Sequence, residues 1–372
     1  MTRKNNDNKN KIKVGRFILL FIMLILLFSN DIFKEKIHGI FETEKTTLKV
    51  NSKKNISLEN NSKVKIYGDR FIIYRKNKLI CYDMKGIKMW DKTIKYNNPL
   101  IYFGEKRLYI ADSTMGNVLA LNSNGKELWN YSFKLTVEQI LEKKGFLLAF
   151  TKAGEELDGI NVLNSDGKLV SNIIIEKGKI LYGNINDNKK NIAITTLSTE
   201  EGQLESYLML YSFIGKEIWE KKFENQILQN VEFIDEDTIV LVSDEEVACV
   251  KEKKLLWARD LEGTLLDIVI DKKDKRIMFL WEEDGKYFET VSFKGRTLEK
   301  KRVDKEYEYL YYNNGETFLI GEKKIKGIKK GKAFLNFNSD EEIKYFGFIE
   351  DKAVIFTQNN VKIMDIVSIK SQ

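Results

Sequence analysis

The side chains best suited to chemistry are few and scattered along the chain. It has two cysteines, Cys81 and Cys249, and one histidine, His38. A zinc or redox site needs thiols at short paired spacing. Here each cysteine sits alone in an apolar, strand-like run, Leu79-Ile80-Cys81-Tyr82 and Val247-Ala248-Cys249-Val250. Both read as buried, inert thiols. His38 has no second histidine and no nearby cysteine, so it reads as a solvated residue and not a base or ligand. The acidic clusters Glu155-Glu156, Asp235-Glu236-Asp237, Asp244-Glu245-Glu246 and Glu282-Glu283-Asp284 fall in expected turns. They read as solvated loops in preference to paired catalytic carboxylates or metal ligands. No nucleophile elbow and no phosphate-cradling glycine loop occurs. We therefore assign no catalytic, cofactor-binding or metal-ligating residue and expect no cofactor.

The elements that would carry such residues follow from size and charge. At 372 residues the chain exceeds what one hydrophobic core usually organises, which calls for several domains or a repeat. Arg3, Lys4, Lys9, Lys11, Lys13 and Arg16, set against Asp7, account for five of the seven net positive charges. Downstream, Lys and Glu are interspersed as on an ordinary solvated surface, so nucleic acid is not an expected partner. After the basic tail at 1–16 comes an unbroken apolar run at 17–28, extended by Ile32 and Phe33. No small-x-small cleavage pattern follows it, so 17–33 reads as an uncleaved transmembrane signal anchor. The basic flank keeps the tail cytoplasmic and places everything after it outside a bacterial cytoplasmic membrane. Residues 34–45 read as a stalk and 46–372 as the extracytoplasmic body.

That body repeats. Residues 78–90 align position by position with 117–129, and further copies lie at 161–168, 209–219 and 291–296. A degenerate copy at 247–257 lacks the glycine and keeps the tryptophan. Gly86, Gly125, Gly167, Gly215 and Gly295 advance by 39, 42, 48 and 80 residues, the last being two periods. A period near 40 with short alternating strands indicates an all-β propeller of four-stranded blades. An Asp, Asn or Ser three residues before each glycine suits a tight hairpin with the glycine left-handed and the polar side chain capping the turn. Blades are expected at 62–97, 98–135, 136–177, 178–225, 226–263, 264–304 and 305–338. The remaining stretch offers three strands near 343–349, 353–357 and 361–367, and a fourth near 48–58 would complete an eighth blade; seven is the alternative count. Residues 136–144 begin like a helix with a capping box, but the repeat register makes them a strand.

The Gly-x-x-x-Trp ending of Gly86 to Trp90, Gly125 to Trp129 and Gly215 to Trp219 resembles the docking repeat of the quinoprotein-like (PQQ-type) β-propellers. An anchor fused to such a body is similar to membrane-anchored proteins of Gram-positive bacteria. The resemblance implies that Trp90, Trp129, Trp219 and Trp257 pack between blades as structural residues. An enzyme of that superfamily would need a vicinal cysteine pair, a calcium site and a catalytic Asp, and this chain has no adjacent cysteines. The expected function is a non-catalytic binding or scaffold protein whose partner is an envelope protein, peptide or glycan. The alternatives are a quinoprotein-like oxidoreductase or glycan-acting enzyme, and a membrane-bound sensor.

Overall fold

The structure is a computed structural model and describes residues 46–59, 61–96, 98–153, 157–199 and 202–368. The basic tail, the apolar span, the stalk with His38, and Glu155-Glu156 lie outside the described residues.

After β1 (Thr46–Lys54), strands follow in sets of four. Blade 1 holds β2 (Lys63–Tyr67), β3 (Arg70–Arg75), β4 (Lys78–Asp83) and β5 (Lys88–Thr93); blade 2 holds β6 (Pro99–Phe103), β7 (Arg107–Asp112), β8 (Asn117–Asn122) and β9 (Glu127–Ser132). Blade 3 holds β10 (Thr136–Lys143), β11 (Phe146–Ala153), β12 (Leu157–Leu163) and β13 (Leu169–Ile175). Blade 4 holds β14 (Lys179–Ile185), β15 (Asn191–Ser198), β16 (Glu205–Ser212) and β17 (Glu217–Glu224). Blade 5 holds β18 (Leu228–Phe233), β19 (Thr238–Ser243), β20 (Glu246–Lys251) and β21 (Lys254–Asp260). Blade 6 holds β22 (Thr264–Asp271), β23 (Arg276–Glu282), β24 (Lys286–Ser292) and β25 (Thr297–Val303). Blade 7 holds β26 (Tyr307–Asn313), β27 (Glu316–Gly321), β28 (Lys324–Lys329) and β29 (Lys332–Asn338). The last blade has order β30 (Tyr345–Ile349), β31 (Lys352–Phe356), β32 (Val361–Ser368), β1. Each is an antiparallel meander, giving a β-propeller of eight blades.

The second and third strands are buried at consecutive positions, as at 108–112 and 277–281, so both faces of each sheet are apolar and are covered by the neighbouring blades. The result is one apolar cluster per seam. Ile72, Leu79 and Cys81 of blade 1 meet Ile101, Leu108 and Leu121 of blade 2. Phe318 and Leu335 of blade 7 meet Phe346, Ile355 and Leu48 of the last blade. Phe71 and Ile73 of blade 1 meet Val354 and Phe356 of the last blade, closing the circle. Distributing the core over seams is how a chain of this length avoids one oversized interior.

Residues 136–144 form the strand β10, and their helix-like spacing has a local cause. A bulge between Val137 and Gln139 shifts the register, so Val137 and Ile140 both face the seam with blade 2 while Leu141 is buried in the seam with blade 4. An i, i+3, i+4 apolar pattern thus arises in a bulged strand.

Closure rests on β1 lying antiparallel to β32, with Thr46 opposite Ser368 and Lys54 opposite Val361. Leu48 buries its side chain in the seam and Leu58 N–H donates to Gln358 O (2.7 Å) just beyond the strand. A polar clasp reinforces the join. Glu341 accepts from Thr357 Oγ1 (2.8 Å) and Asn360 Nδ2 (3.0 Å), and pairs with Lys362 of β32 (3.1 Å) and Lys53 of β1 (3.2 Å). The hydrogen bonds from Thr357 and Asn360, aided by the lysines, hold the Glu341 carboxyl down at about 2 from its ordinary 4.5.

Two outcomes follow. Deleting residues 46–58 exposes the β32 edge and strips apolar cover from the two seams that flank the last blade, so the protein should aggregate or unfold at a markedly lower temperature. Melting indistinguishable from the full chain would contradict the closure. Because the folded Glu341 pKa lies below the unfolded one, its stabilisation is complete above the unfolded value and disappears as pH falls through the folded value. Urea midpoints should therefore drop between about pH 5 and 2, and Glu341→Gln should lower the neutral-pH midpoint while flattening that drop.

Candidate functional site

The repeat residues lie on the rim. In blades 1, 2 and 3 the hairpin between the third and fourth strands is capped as its sequence requires: Ile87 N–H donates to Asp83 Oδ1 (2.8 Å), Lys126 N–H to Asn122 Oδ1 (3.0 Å) and Lys168 N–H to Asn164 Oδ1 (3.0 Å). At the hairpins of blades 2, 3 and 6 the tryptophan of the preceding blade covers the turn. Trp90 Nε1 donates to Ser123 O (3.2 Å), Trp129 Nε1 to Ser165 O (3.0 Å) and Trp257 Nε1 to Phe293 O (2.9 Å). A Cβ at Gly125, Gly167 or Gly295 would come within 2.8, 2.5 and 2.8 Å of those rings, and all three have left-handed φ. Glycine is required there twice over, by backbone and by space.

Elsewhere the ladder is modified. Trp219 is buried and packs with Ala248 and Val250 of blade 5, whose hairpin has Glu252 and Lys253 at positive φ in place of a glycine. Gly215 faces Ser171 and Asn172 where other blades supply tryptophan, and Ser171 Oγ is buried with no partner. Gly86 lies under the aliphatic stem of Lys54 from β1. The thiols Cys81 and Cys249 stand opposite Trp90 and Trp257 across the strand pairs, unbonded and buried, and burial pushes both up to about 11.

The acidic clusters within the described residues act as local ties. Asp235 Oδ1 accepts from Thr238 N–H (2.7 Å), Asp244 Oδ1 from Ile227 N–H (2.8 Å) and Asp284 Oδ1 from Tyr287 O–H (2.7 Å). Among the described residues no group of three or more His, Cys, Asp or Glu side chains could hold a metal ion.

The first strands of several neighbouring blades lie against one another, β14 against β18 and β22 against β26 most extensively. On them, and on the hairpins that follow, is a charged network the repeat did not reveal. Lys144 pairs with Asp187, Asp187 with Lys272 (3.4 Å), Lys272 with Glu232 (3.4 Å) and Glu232 with Lys143 (3.3 Å), linking blades 3, 4, 5 and 6. The Lys144 hydrogen bond chiefly holds the Asp187 carboxyl below its ordinary range. Burial pulls Lys143 down, but the Glu232 charge and the Tyr182 hydroxyl raise it overall, and its ammonium lies over the Tyr182 ring. Across the ring, burial drives the hydroxyl pKa of Tyr345 up to about 12, and the Tyr309 hydroxyl is buried with no partner.

Beside this network, a cleft of 360 Å³ opens between hairpins of blades 2, 3 and 4, lined by Arg107, Lys144, Phe146 and Lys189. Its floor is Glu142, buried and accepting from Glu105 N–H (2.8 Å) and Tyr109 O–H (3.1 Å). Cations around an aromatic wall suit a carboxylate or another anionic group. The cleft offers no nucleophile and base pair. These residues were missed because closure brings them together from four sequence-distant segments. The one local signal is Glu142-Lys143 at the end of an otherwise apolar strand.

The docking rings at 90, 129 and 257 are only half-buried. Trp129→Ala should accordingly cost about 2–3 kcal/mol, below the loss for a fully buried large aromatic, as read from urea unfolding. No measurable loss would show that the ring does not hold the seam.

No curated protein matches this sequence. Among solved structures the chain is similar to BamB from Moraxella catarrhalis, at 11% identity and TM-score 0.56, over 86% of this chain and 99% of that one. It is similar to the Dos1 propeller at 11% identity and TM-score 0.62, over 86% and 95%. Saccharomyces cerevisiae Sqt1 matches at 11% identity and TM-score 0.58, over 88% and 100%. Identities this low speak for the propeller fold alone. In sequence, residues 42–366 match the group described as a family of unknown function, DUF5711, and the chain belongs to that family.

Proposed function

We propose that the protein is a non-catalytic interaction scaffold of the bacterial envelope, held at the outer face of the cytoplasmic membrane by residues 17–33. The observation that carries this reading is the ring itself: a closed, rigid body that presents hairpins from every blade on two faces. Such a platform suits a protein or peptide partner, and propellers similar in fold support protein partners in general. The faces differ in character. The turns between second and third strands, with the connections between blades, carry Asp244, Glu245, Glu283, Asp284, Asp304 and Glu342. The hairpins of the opposite face carry the cationic cleft.

The test is made on the full chain in cells. Met115, 63% exposed on the acidic face, is replaced by cysteine. It should react with a membrane-impermeant maleimide in intact cells, and a photo-crosslinker at Glu283 should give a discrete adduct with an envelope component. Labelling only after lysis would overturn the assigned side. Turnover of an alcohol with added quinone and calcium would overturn the scaffold reading.

A further inference from the structure

Large exposed apolar side chains are concentrated in one band of the ring. The residue immediately before the docking position is aliphatic in each of six successive blades: Met89, Leu128, Val170, Ile218, Leu256 and Leu298, all 38–54% exposed. Ile87 and Ile214, in the hairpins themselves, are 60% and 82% exposed, and Leu169 and Leu255 lie in the same band. Among the described residues only Val50, Met115, Leu135 and Ile174 are large, apolar and exposed outside it. In each of these blades the residue is the extra one of a β-bulge in the outer strand, so it has no partner across the ladder and the fold does not require it to be aliphatic.

The band is interleaved with cations. Lys126, Lys168, Lys216 and Arg296 directly follow the hairpin glycines, and Lys85 and Lys294 precede two of them; all are exposed. Exposed Glu127 and Glu217 stand beside two of these cations, but basic residues outnumber acidic ones along the hairpins. Aliphatic and basic side chains sharing one surface is the composition that binds an anionic lipid interface, where apolar burial and headgroup attraction add. The opposite face carries most of the acidic turns, which such a surface repels, while Asp235-Glu236-Asp237, in the turn between β18 and β19, lies on the banded side.

The chain itself points the same way. Antiparallel pairing places Thr46 beside Ser368, at the end of β32 that corresponds to these hairpins in the other blades. The polypeptide therefore enters the ring on the banded face. Residues 34–45 separate it from the apolar run and, fully extended, reach at most about 40 Å. A tether this short keeps that face at high effective concentration over the lipid.

We propose that the banded face docks on the anionic surface of the bilayer in which residues 17–33 are anchored, leaving the acidic face free for a partner. This rests on the anchor reading above, and the experiment separates the two. Full-length protein is reconstituted into vesicles of phosphatidylcholine with or without phosphatidylglycerol. A fluorophore is carried on Ile214→Cys or Met115→Cys, the native thiols being buried. Lipids brominated near the headgroup should quench the probe at 214 in anionic vesicles, with little quenching in neutral ones and none at 115. Lys126→Glu combined with Lys168→Glu and Lys216→Glu should abolish that quenching while the protein still floats with the vesicles. Flotation with both vesicle types but equal quenching at 214 and 115 overturns docking and leaves the anchor standing. Flotation only with anionic vesicles, lost on charge reversal, supports docking and overturns the anchor. Equal quenching at 214 in both lipids overturns the electrostatic pairing. Concentration-dependent shielding of 214 in detergent shows a second copy on the band and overturns the lipid assignment.

Discussion

A blade is stable only when both of its sheet faces are covered by neighbours, and that condition can be met for every blade only if the row of blades closes on itself. The β1 to β32 pairing meets it. Through Leu48 it completes the seam with blade 7, and through Ile56 and Leu58, just beyond β1, it helps fill the seam with blade 1. The Glu341 clasp crosses the same join, so apolar cover and charge pairing fail together if the strand is lost. Closure also assembles the charged network, since Lys143, Asp187, Glu232 and Lys272 are neighbours only once the blades curve round.

Within that frame the docking ladder is a peripheral reinforcement. Three tryptophans lie on three glycines, each with an indole hydrogen bond to the next hairpin. Where the ladder lapses at Ser171, the seam beneath is filled by Phe150, Ile160, Ile173, Ile194 and Tyr211, so the interior carries the contact without the rim. Rim residues are thus freer to change than seam residues, and the rim is where the aliphatic and basic band lies.

The hairpins were legible in the sequence because their chemistry is local: a capping Asp, Asn or Ser and a left-handed glycine recur at fixed spacing. Blade limits followed from that period, and each of the seven expected intervals holds four strands. The fourth strand of the last blade could be placed near its sequence position only because an edge otherwise stayed open. Residues 136–144 show the limit of periodicity, since one bulge at Glu138 converts a strand pattern into an apparent helical one. Trp219 illustrates another, having kept its place while the facing hairpin replaced glycine by a two-residue Glu252-Lys253 turn. The charged network and the Glu142 cleft have no local signature, because non-adjacent turns build them.

Entry of the chain through β1 also sets how the ring bears mechanical load. Tension applied ahead of Thr46 runs lengthwise along β1, against the hydrogen bonds to β32 and the side-chain bonds from Thr46 Oγ1 to Phe334 O (3.0 Å) and Thr47 Oγ1 to Asn336 O (2.8 Å). A strand pulled along its own axis strains many such bonds at once instead of peeling them singly. The element that seals the circle is then also its strain-bearing member, and a force large enough to extract it would open the ring at a single, defined blade.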